Sequence, residues 1–222
     1  VAKPGGLFSG NRCDAAGVCV VQLVGFMDSP FVRRVAVSAQ FLGLDYEHRE
    51  LSIFRDFEEF RALNPLVKVP TLICDDGQSL VDSTLIIDYL ESVAGRSLMP
   101  HTEADRIAAL HIIGIALVAM EKVVQIIYET KQRPAELHHQ PWIDRVAQQL
   151  TGALDLLEAI VGNGSEWLVG NEITQADITV AVAYRFVLHT VPEHVSAESY
   201  PALGALSSRA EGLPEFRACP LA

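Results

Sequence analysis

Apolar and polar positions follow two regimes along this chain, and the change falls near Gly95. Val18 to Phe26 is nearly continuous apolar sequence broken only by Gln22 and Gly25, which predicts a strand buried on both faces. From Pro30 to Leu42 the apolar positions Val32, Val35, Ala36, Ala39 and Leu42 make a helical stripe, and Gly43 is placed to end it. Tyr46 to Leu51 alternates and predicts a second strand, so strand, helix and strand form a βαβ unit with a parallel pair. Phe54 to Leu63 predicts a short charged helix or irregular turn ended by Asn64-Pro65. Pro70 to Cys74 predicts a strand, with Asp75-Asp76-Gly77 as a hairpin turn into Gln78 to Val81. Ser83 to Val93 predicts a helix with Leu85, Ile86, Tyr89 and Leu90 on one face.

Beyond Gly95 to His101 almost no strand pattern remains. Thr102-Glu-Ala-Asp105 is an N-cap followed three residues later by an acid, and a long apolar-periodic helix runs from it towards Arg133, with Pro134 helping to end it. Trp142 to Val161 predicts a further amphipathic helix. Thr174-Gln-Ala-Asp177 opens one that is nearly all apolar to Leu188, which predicts the buried centre of a helical domain. Pro201 to Arg209 predicts a last short helix. The expected class is α/β plus all-α: a mixed four-stranded sheet with packed helices over residues 19–93, a linker at 94–101, and an all-helical domain over 102–222. Residues 1–18, rich in Gly, Ala and polar side chains, are read as a flexible extension.

A chain of 222 residues, half of them apolar, can bury a self-sufficient core. Its 17 Lys plus Arg against 28 Asp plus Glu give a net charge of −11, with no dense basic run, which argues against nucleic acid as a partner. Cys13, Cys19, Cys74 and Cys219 form no C-x-x-C pair, and scattered thiols suit a reducing cytoplasm. The histidines make no metal set, since His138-His139 are adjacent and His189 and His194 straddle a proline. The longest apolar run, Ile112 to Met120, is short for a membrane span and bracketed by His111 and Glu121, and no secretion signal is expected.

Three short segments carry candidate chemistry. Ser29 precedes Pro30, which can start a helix at no cost, so its hydroxyl stands where a helix cap and a reactive group would both stand. Lys68-Val69-Pro70 leads into a strand, and Asp82-Ser83 leads into a helix whose N-terminus favours an anion. Helix N-termini, backbone amides and one hydroxyl suit an anionic peptide carrying a thiol.

Ser29-Pro30-Phe31-x-x-Arg34-Val35, Asn64-Pro65, Lys68-Val69-Pro70, Asp82-Ser83, and Trp167-Leu-Val-Gly170 followed by Ile173-Thr174-Gln-Ala-Asp177 together resemble the cytosolic glutathione S-transferase superfamily. The resemblance spans roughly residues 20–217 and implies a thioredoxin-like first domain and a helical second one. The S-P-F-x-x-R form is similar to serine-type classes such as the plant tau enzymes, whereas omega and dehydroascorbate-reductase types carry Cys where Ser29 stands. A cysteine there would favour exchange through a mixed disulfide, and serine cannot form one. The resemblance therefore implies that Ser29 donates to the sulfur of bound glutathione. A hydrogen bond to a charged group is worth ~1.5–3 kcal/mol, about one to two pKa units on a thiol near ~8.5.

By the same resemblance Val69-Pro70 is a cis bond that turns the Val69 backbone towards the peptide, Ser83 and the helix end after Asp82 bind the γ-glutamyl carboxylate, and Lys68 pairs with the glycyl carboxylate. Phe31 joins these as a glutathione-binding position, while Arg34 is expected to pack or pair near the first helix. An electrophilic, apolar second substrate is expected along the helix after the linker, at His111, Ile115 and the region near Met120. No metal or redox cofactor is implied, glutathione being a co-substrate, and a two-fold homodimer is expected by analogy. The rival readings are a glutathione-dependent isomerase of the maleylacetoacetate type, which lacks support from the Phe26-Met-Asp-Ser-Pro30 sequence, and a non-catalytic scaffold of the same fold.

Overall fold

The computed structural model describes residues 21–163 and 166–221. The segment read as a flexible extension, and the first residues of the predicted first strand, lie outside them. The chain divides into two compact units, one ending at Ala94 and the other beginning at Gly95.

In the first unit, strands β1 (Val21–Val24), β2 (Tyr46–Arg49), β3 (Thr71–Ile73) and β4 (Ser79–Val81) form a sheet in the order β2-β1-β3-β4. β1 and β2 are parallel, and β3 is antiparallel to both β1 and β4. Helices α1 (Pro30–Leu42), α2 (Phe57–Leu63) and α3 (Ser83–Ala94) complete it. β1 ends before the apolar run that predicts it, because Gly25 turns to φ 132° while its N–H still reaches Arg49 O at 3.0 Å. α1 has the bounds its stripe predicts: Pro30 starts it, and Gly43 in the left-handed region (φ 70°) donates to the carbonyls of Ala39 and Gln40.

Alternation along the short strands builds a core on each face of the sheet. Leu23 and Leu72 lie with Val35, Ala39 and Leu90 on the α1 and α3 side. Val24, Leu51 and Phe60 form the core of the opposite side, with Val67, Val69 and Ile73 packed against it. One expected face is rotated: α3 buries Ser83, Ile86, Ile87 and Leu90, whereas Leu85 is 65% exposed. A spacing of three and four from Ser83 selects Ile86, Ile87 and Leu90 and leaves Leu85 turned away.

The second unit contains α4 (Glu103–Ile127), α5 (Gln140–Val161), α6 (Gln175–Thr190), α7 (Pro201–Glu211) and α8 (Pro214–Arg217). The short α8, which begins at a proline, has no counterpart in the hydrophobic pattern because four residues are too few to show a period. α4 continues through a π-helical turn at Tyr128–Gln132. The whole 30-residue helix includes a window of mean hydropathy 2.0 and is long and apolar enough to cross a membrane, longer than the Ile112–Met120 run suggests. His111 and Glu121 interrupt the run without interrupting the helix. Ala109, Ile112, Ala116, Met120 and Val123 on it are buried, and α4 packs against α5 and α6.

Every residue of α6 from Gln175 to Tyr184 is buried, as a central helix requires. Its start is held by a capping box: Asp177 Oδ2 accepts from Thr174 N and Thr174 Oγ1, each at 2.8 Å, and Oδ1 accepts from Leu168 N at 2.8 Å. Asp177 is fully buried, which pushes its carboxyl pKa up, while these donors pull it down. Replacing Asp177 with Ala leaves buried donors unpaired, so a loss of about 2–4 kcal/mol is expected from cap and desolvation together. Denaturant unfolding monitored by helical circular dichroism measures it, and a loss below about 0.5 kcal/mol would remove the box as a determinant of the helical unit.

Candidate functional site

The sheet register brings the candidate segments of the first unit to one end. Val24 pairs with Thr71, Thr71 with Val81, and Val24 with Arg49. β1 leaves this row towards Ser29, β3 enters it from Lys68-Val69-Pro70, and β4 leaves it towards Asp82-Ser83.

The loop before α1 is tightly tied. Gly25 N donates to Arg49 O, His48 Nε2 meets Gly25 O at 2.7 Å, and Ser29 N donates to Phe26 O at 3.1 Å. The Arg55 guanidinium lies 5.1 Å from the centre of the Phe26 ring. A Cβ on Gly25 would meet Val32 Cγ2 at 2.7 Å and Val69 Cγ1 at 2.9 Å, so the loop, the first turn of α1 and the Val69 segment approach as closely as glycine allows.

Ser29 is half-buried at the N-cap of α1 with φ −75° and ψ 121°. Its Oγ accepts from Val32 N at 3.5 Å, a long and weak cap bond that leaves the hydroxyl proton for another acceptor. Phe31 is half-buried in the first turn. The Val69-Pro70 bond is cis; Pro70 is buried, Val69 half-buried and Lys68 exposed. Asn64 Nδ2 donates to Thr71 Oγ1 at 2.8 Å, and Thr71 Oγ1 donates to Lys68 O at 2.7 Å, which pins this segment to the end of α2.

At α3 Asp82 and Ser83 take different roles. Asp82, at φ 72°, is the capping residue: its Oδ1 accepts from Thr84 N at 2.8 Å and Leu85 N at 3.4 Å, and its C=O accepts from Ile86 N. Ser83 is 3% exposed, and its Oγ accepts from Arg34 Nη1 at 2.9 Å; the same nitrogen reaches Thr84 Oγ1 at 3.0 Å. Arg34 itself is buried within α1, which pulls its guanidinium down to about 10, while the Asp82 carboxylate pulls it up. It therefore stays charged at neutral pH. The sequence suggested that Arg34 packs or pairs near the first helix and gave no role to Thr84; the signal was the Arg33-Arg34 pair on a helix whose other residues are mostly small or apolar.

Cys74, just past the far end of β3, has its thiol pushed up by burial and by Asp76 and Asp75, against a hydrogen bond with Tyr89. It is held as a thiol. His111, exposed, and Ile115, half-buried, lie on α4 in the second unit, whereas Met120 is completely buried in that unit's core and is excluded as a pocket-lining side chain. Among the described residues no group of three or more His, Cys, Asp or Glu side chains is placed to hold a metal.

Residues 23–97 match the N-terminal domain family of glutathione S-transferases, and residues 119–218 match the C-terminal domain family. The chain belongs to the glutathione S-transferase superfamily. Among solved structures it is similar to a glutathione S-transferase from Methylobacterium radiotolerans in complex with glutathione sulfonate, with a TM-score of 0.84 and 26% identity over 91% of this chain and 95% of the other. A glutathione transferase family member from Pseudomonas fluorescens Pf-5 with bound glutathione matches with a TM-score of 0.76 and 26% identity, covering 90% and 98% of the two chains. Maleylacetoacetate isomerase of Mus musculus is 27% identical over 194 residues, which is 83% of this chain and 84% of that protein.

In this glutathione S-transferase fold Gly25 governs the spacing of the site. Gly25→Ala should destabilise the protein by about 2–4 kcal/mol, through overpacking and an unfavourable φ together. Thermal unfolding reads this directly, and a variant as stable as wild type would mean that Val32 and Val69 can move apart freely.

Proposed function

We propose that this protein is a glutathione transferase in which Ser29 stabilises the glutathione thiolate for attack on an electrophilic, apolar small molecule. The observation that carries the reading is the Ser29 hydroxyl at the N-cap of α1, with only a 3.5 Å bond to Val32 N occupying its oxygen. A donor at that point, together with the positive end of α1, favours a thiolate over a thiol. Lys68 pairs with the glycyl carboxylate, the Val69 backbone pairs with the middle of the peptide, and Phe31, Pro70, Asp82 and Ser83 complete the glutathione site. Structures of similar proteins that contain glutathione or glutathione sulfonate support this assignment of the ligand. His111 and Ile115 are proposed to line the second-substrate pocket. The enzyme is proposed to act in the cytoplasm without a metal or redox cofactor, in detoxification of electrophiles.

A second reading has a specific observation behind it: the similarity to maleylacetoacetate isomerase extends over most of both chains. That reading uses the same thiolate and differs in releasing an isomer instead of a conjugate. The absence of the serine and cysteine run around Ser29 favours the transferase.

Homodimerisation is proposed as well. Ile107, Leu110 and Val118 on α4 are 61%, 51% and 41% exposed, and Leu85 and Val93 on α3 are 65% and 56% exposed, apolar side chains on helices that a second copy would cover. Ile107→Glu combined with Leu110→Glu should turn a dimer into a monomer in light scattering; an unchanged mass would exclude this face of α4 from the interface.

The deciding experiment is a pH titration of the ultraviolet thiolate absorbance of bound glutathione. Its ionisation should fall about one to two units below that of the free thiol, and Ser29→Ala should return it, with turnover on a model electrophile reduced about 10- to 100-fold. A normal ionisation with tight binding would exclude thiol activation, and turnover of maleylacetoacetate without conjugate formation would select the isomerase.

A further inference from the structure

The contact between Arg34 and the first turn of α3 has a consequence for the direction of two hydroxyl protons. Arg34 Nη1 carries two hydrogens and donates to both Ser83 Oγ and Thr84 Oγ1, at 2.9 and 3.0 Å. A guanidinium can only donate, and a hydroxyl has one proton and two lone pairs. Each hydroxyl thus spends a lone pair on Arg34, and its proton points away from the cation towards an acceptor elsewhere. Ser83 is 3% exposed and Thr84 is exposed, so the pair runs from the interior to the surface of the α3 N-terminus.

The backbone donors of the same turn are differently committed, because Asp82 Oδ1 takes the amides of Thr84 and Leu85. An anion arriving at this helix end therefore meets oriented hydroxyls beside an acidic side chain. Without a cation nearby, the Asp82 carboxylate would repel it. Arg34, 1% exposed, supplies the compensating charge from the interior.

We propose that Arg34 is a positioning residue for the carboxylate end of the ligand, setting Ser83 and Thr84 as a pair of hydroxyl donors and offsetting the charge of Asp82. The proposal rests on reading this end of the first unit as a glutathione site, with the γ-glutamyl α-carboxylate as the anion. It adds Thr84 to the residues that touch the ligand and gives Arg34 a role beyond joining α1 to α3.

The test compares glutathione with γ-aminobutyryl-cysteinyl-glycine, which lacks only that α-carboxylate. Both are titrated calorimetrically into wild type, Thr84→Val, Arg34→Lys and Arg34→Met. Wild type should prefer glutathione by about 10- to 100-fold, the worth of charge-assisted hydrogen bonds. Thr84→Val should cut that preference by about 10-fold, and Arg34→Met should remove most of it. Arg34→Lys should keep part, because an ammonium retains the charge and loses the fork. Affinity for the analogue should stay at the wild-type level throughout.

Arg34 variants that retain the full preference, or that weaken both ligands equally, would overturn the positioning role while leaving the glutathione site intact. A wild type that binds neither ligand, or binds both alike, would instead overturn the reading of the site. Arg34→Lys keeps a cation at this position, so it tests the role of Arg34 even where Arg34→Met does not fold, and Thr84→Val with the full preference would remove Thr84 from the ligand contacts.

Discussion

One row of the sheet constrains the rest of the first unit. Val24, Thr71, Val81 and Arg49 stand side by side across four strands. β1, β2 and β4 leave that row and β3 enters it, so the loops carrying Ser29, Lys68 to Pro70, and Asp82-Ser83 are delivered to the same end. The register is enforced from both faces. Leu23 and Leu72 are buried on the α1 and α3 side, while Val24 and Ile73 are packed on the α2 side. A slip of one residue would exchange those faces and leave neither core filled. The hydrophobic interactions that fold the unit are therefore also what assembles its polar end.

That polar end is furnished with donors in a chain whose overall charge is −11. A long-range positive field cannot attract an anionic peptide here, so recognition has to come from short, directed contacts. The structure supplies them by burying a cation: Arg34 is enclosed in α1 and touches two hydroxyls of α3. Burial makes the guanidinium less basic, to about 10, yet not enough to discharge it. Asp82 meanwhile occupies the left-handed region at φ 72°, a conformation that costs most side chains about 1–2 kcal/mol. Aspartate tolerates it because the carboxylate bonds the local amides of Thr84 and Leu85.

Periodicity and end signals were enough to locate most elements. The Ser29-Pro30 start and Gly43 stop of α1, the Asp75-Asp76-Gly77 hairpin and the Thr174–Asp177 box are each a local rule written in adjacent residues, and each is present in the structure. What could not be read depends on partners distant in sequence. Arg34 meets Ser83 and Thr84 about 50 residues away, and no spacing rule announces such a pair. Leu85 matches an apolar stripe as well as Ile87 does, and only the docking direction of α3 decides that Ile87 is buried. The region near Met120 was expected to line the second-substrate site, and the packing of α4 against α5 and α6 places Met120 in the core instead. The family resemblance carried what local rules could not, the expectation that Ser29, Lys68, Val69 and Ser83 belong to one site, and the sheet register brings their segments to one end.

The distribution of thiols bears on which chemistry the proposed site performs. Among the described residues Cys74 stands at the end of β3 away from Thr71, pushed towards the neutral thiol by burial, and Cys219 is completely buried in the second unit. Neither can take part in exchange at Ser29, and serine itself cannot form a mixed disulfide. In the proposed reading the reactive sulfur arrives with the ligand, and the protein's contribution is to lower the cost of ionising it. A hydrogen bond of ~1.5–3 kcal/mol to a thiolate does this without creating a covalent enzyme intermediate. Transferase and isomerase readings both begin from that thiolate and part only at the fate of the adduct. A leaving group or a saturated product traps it as a conjugate, whereas reversible addition to a conjugated double bond permits rotation and returns the thiol.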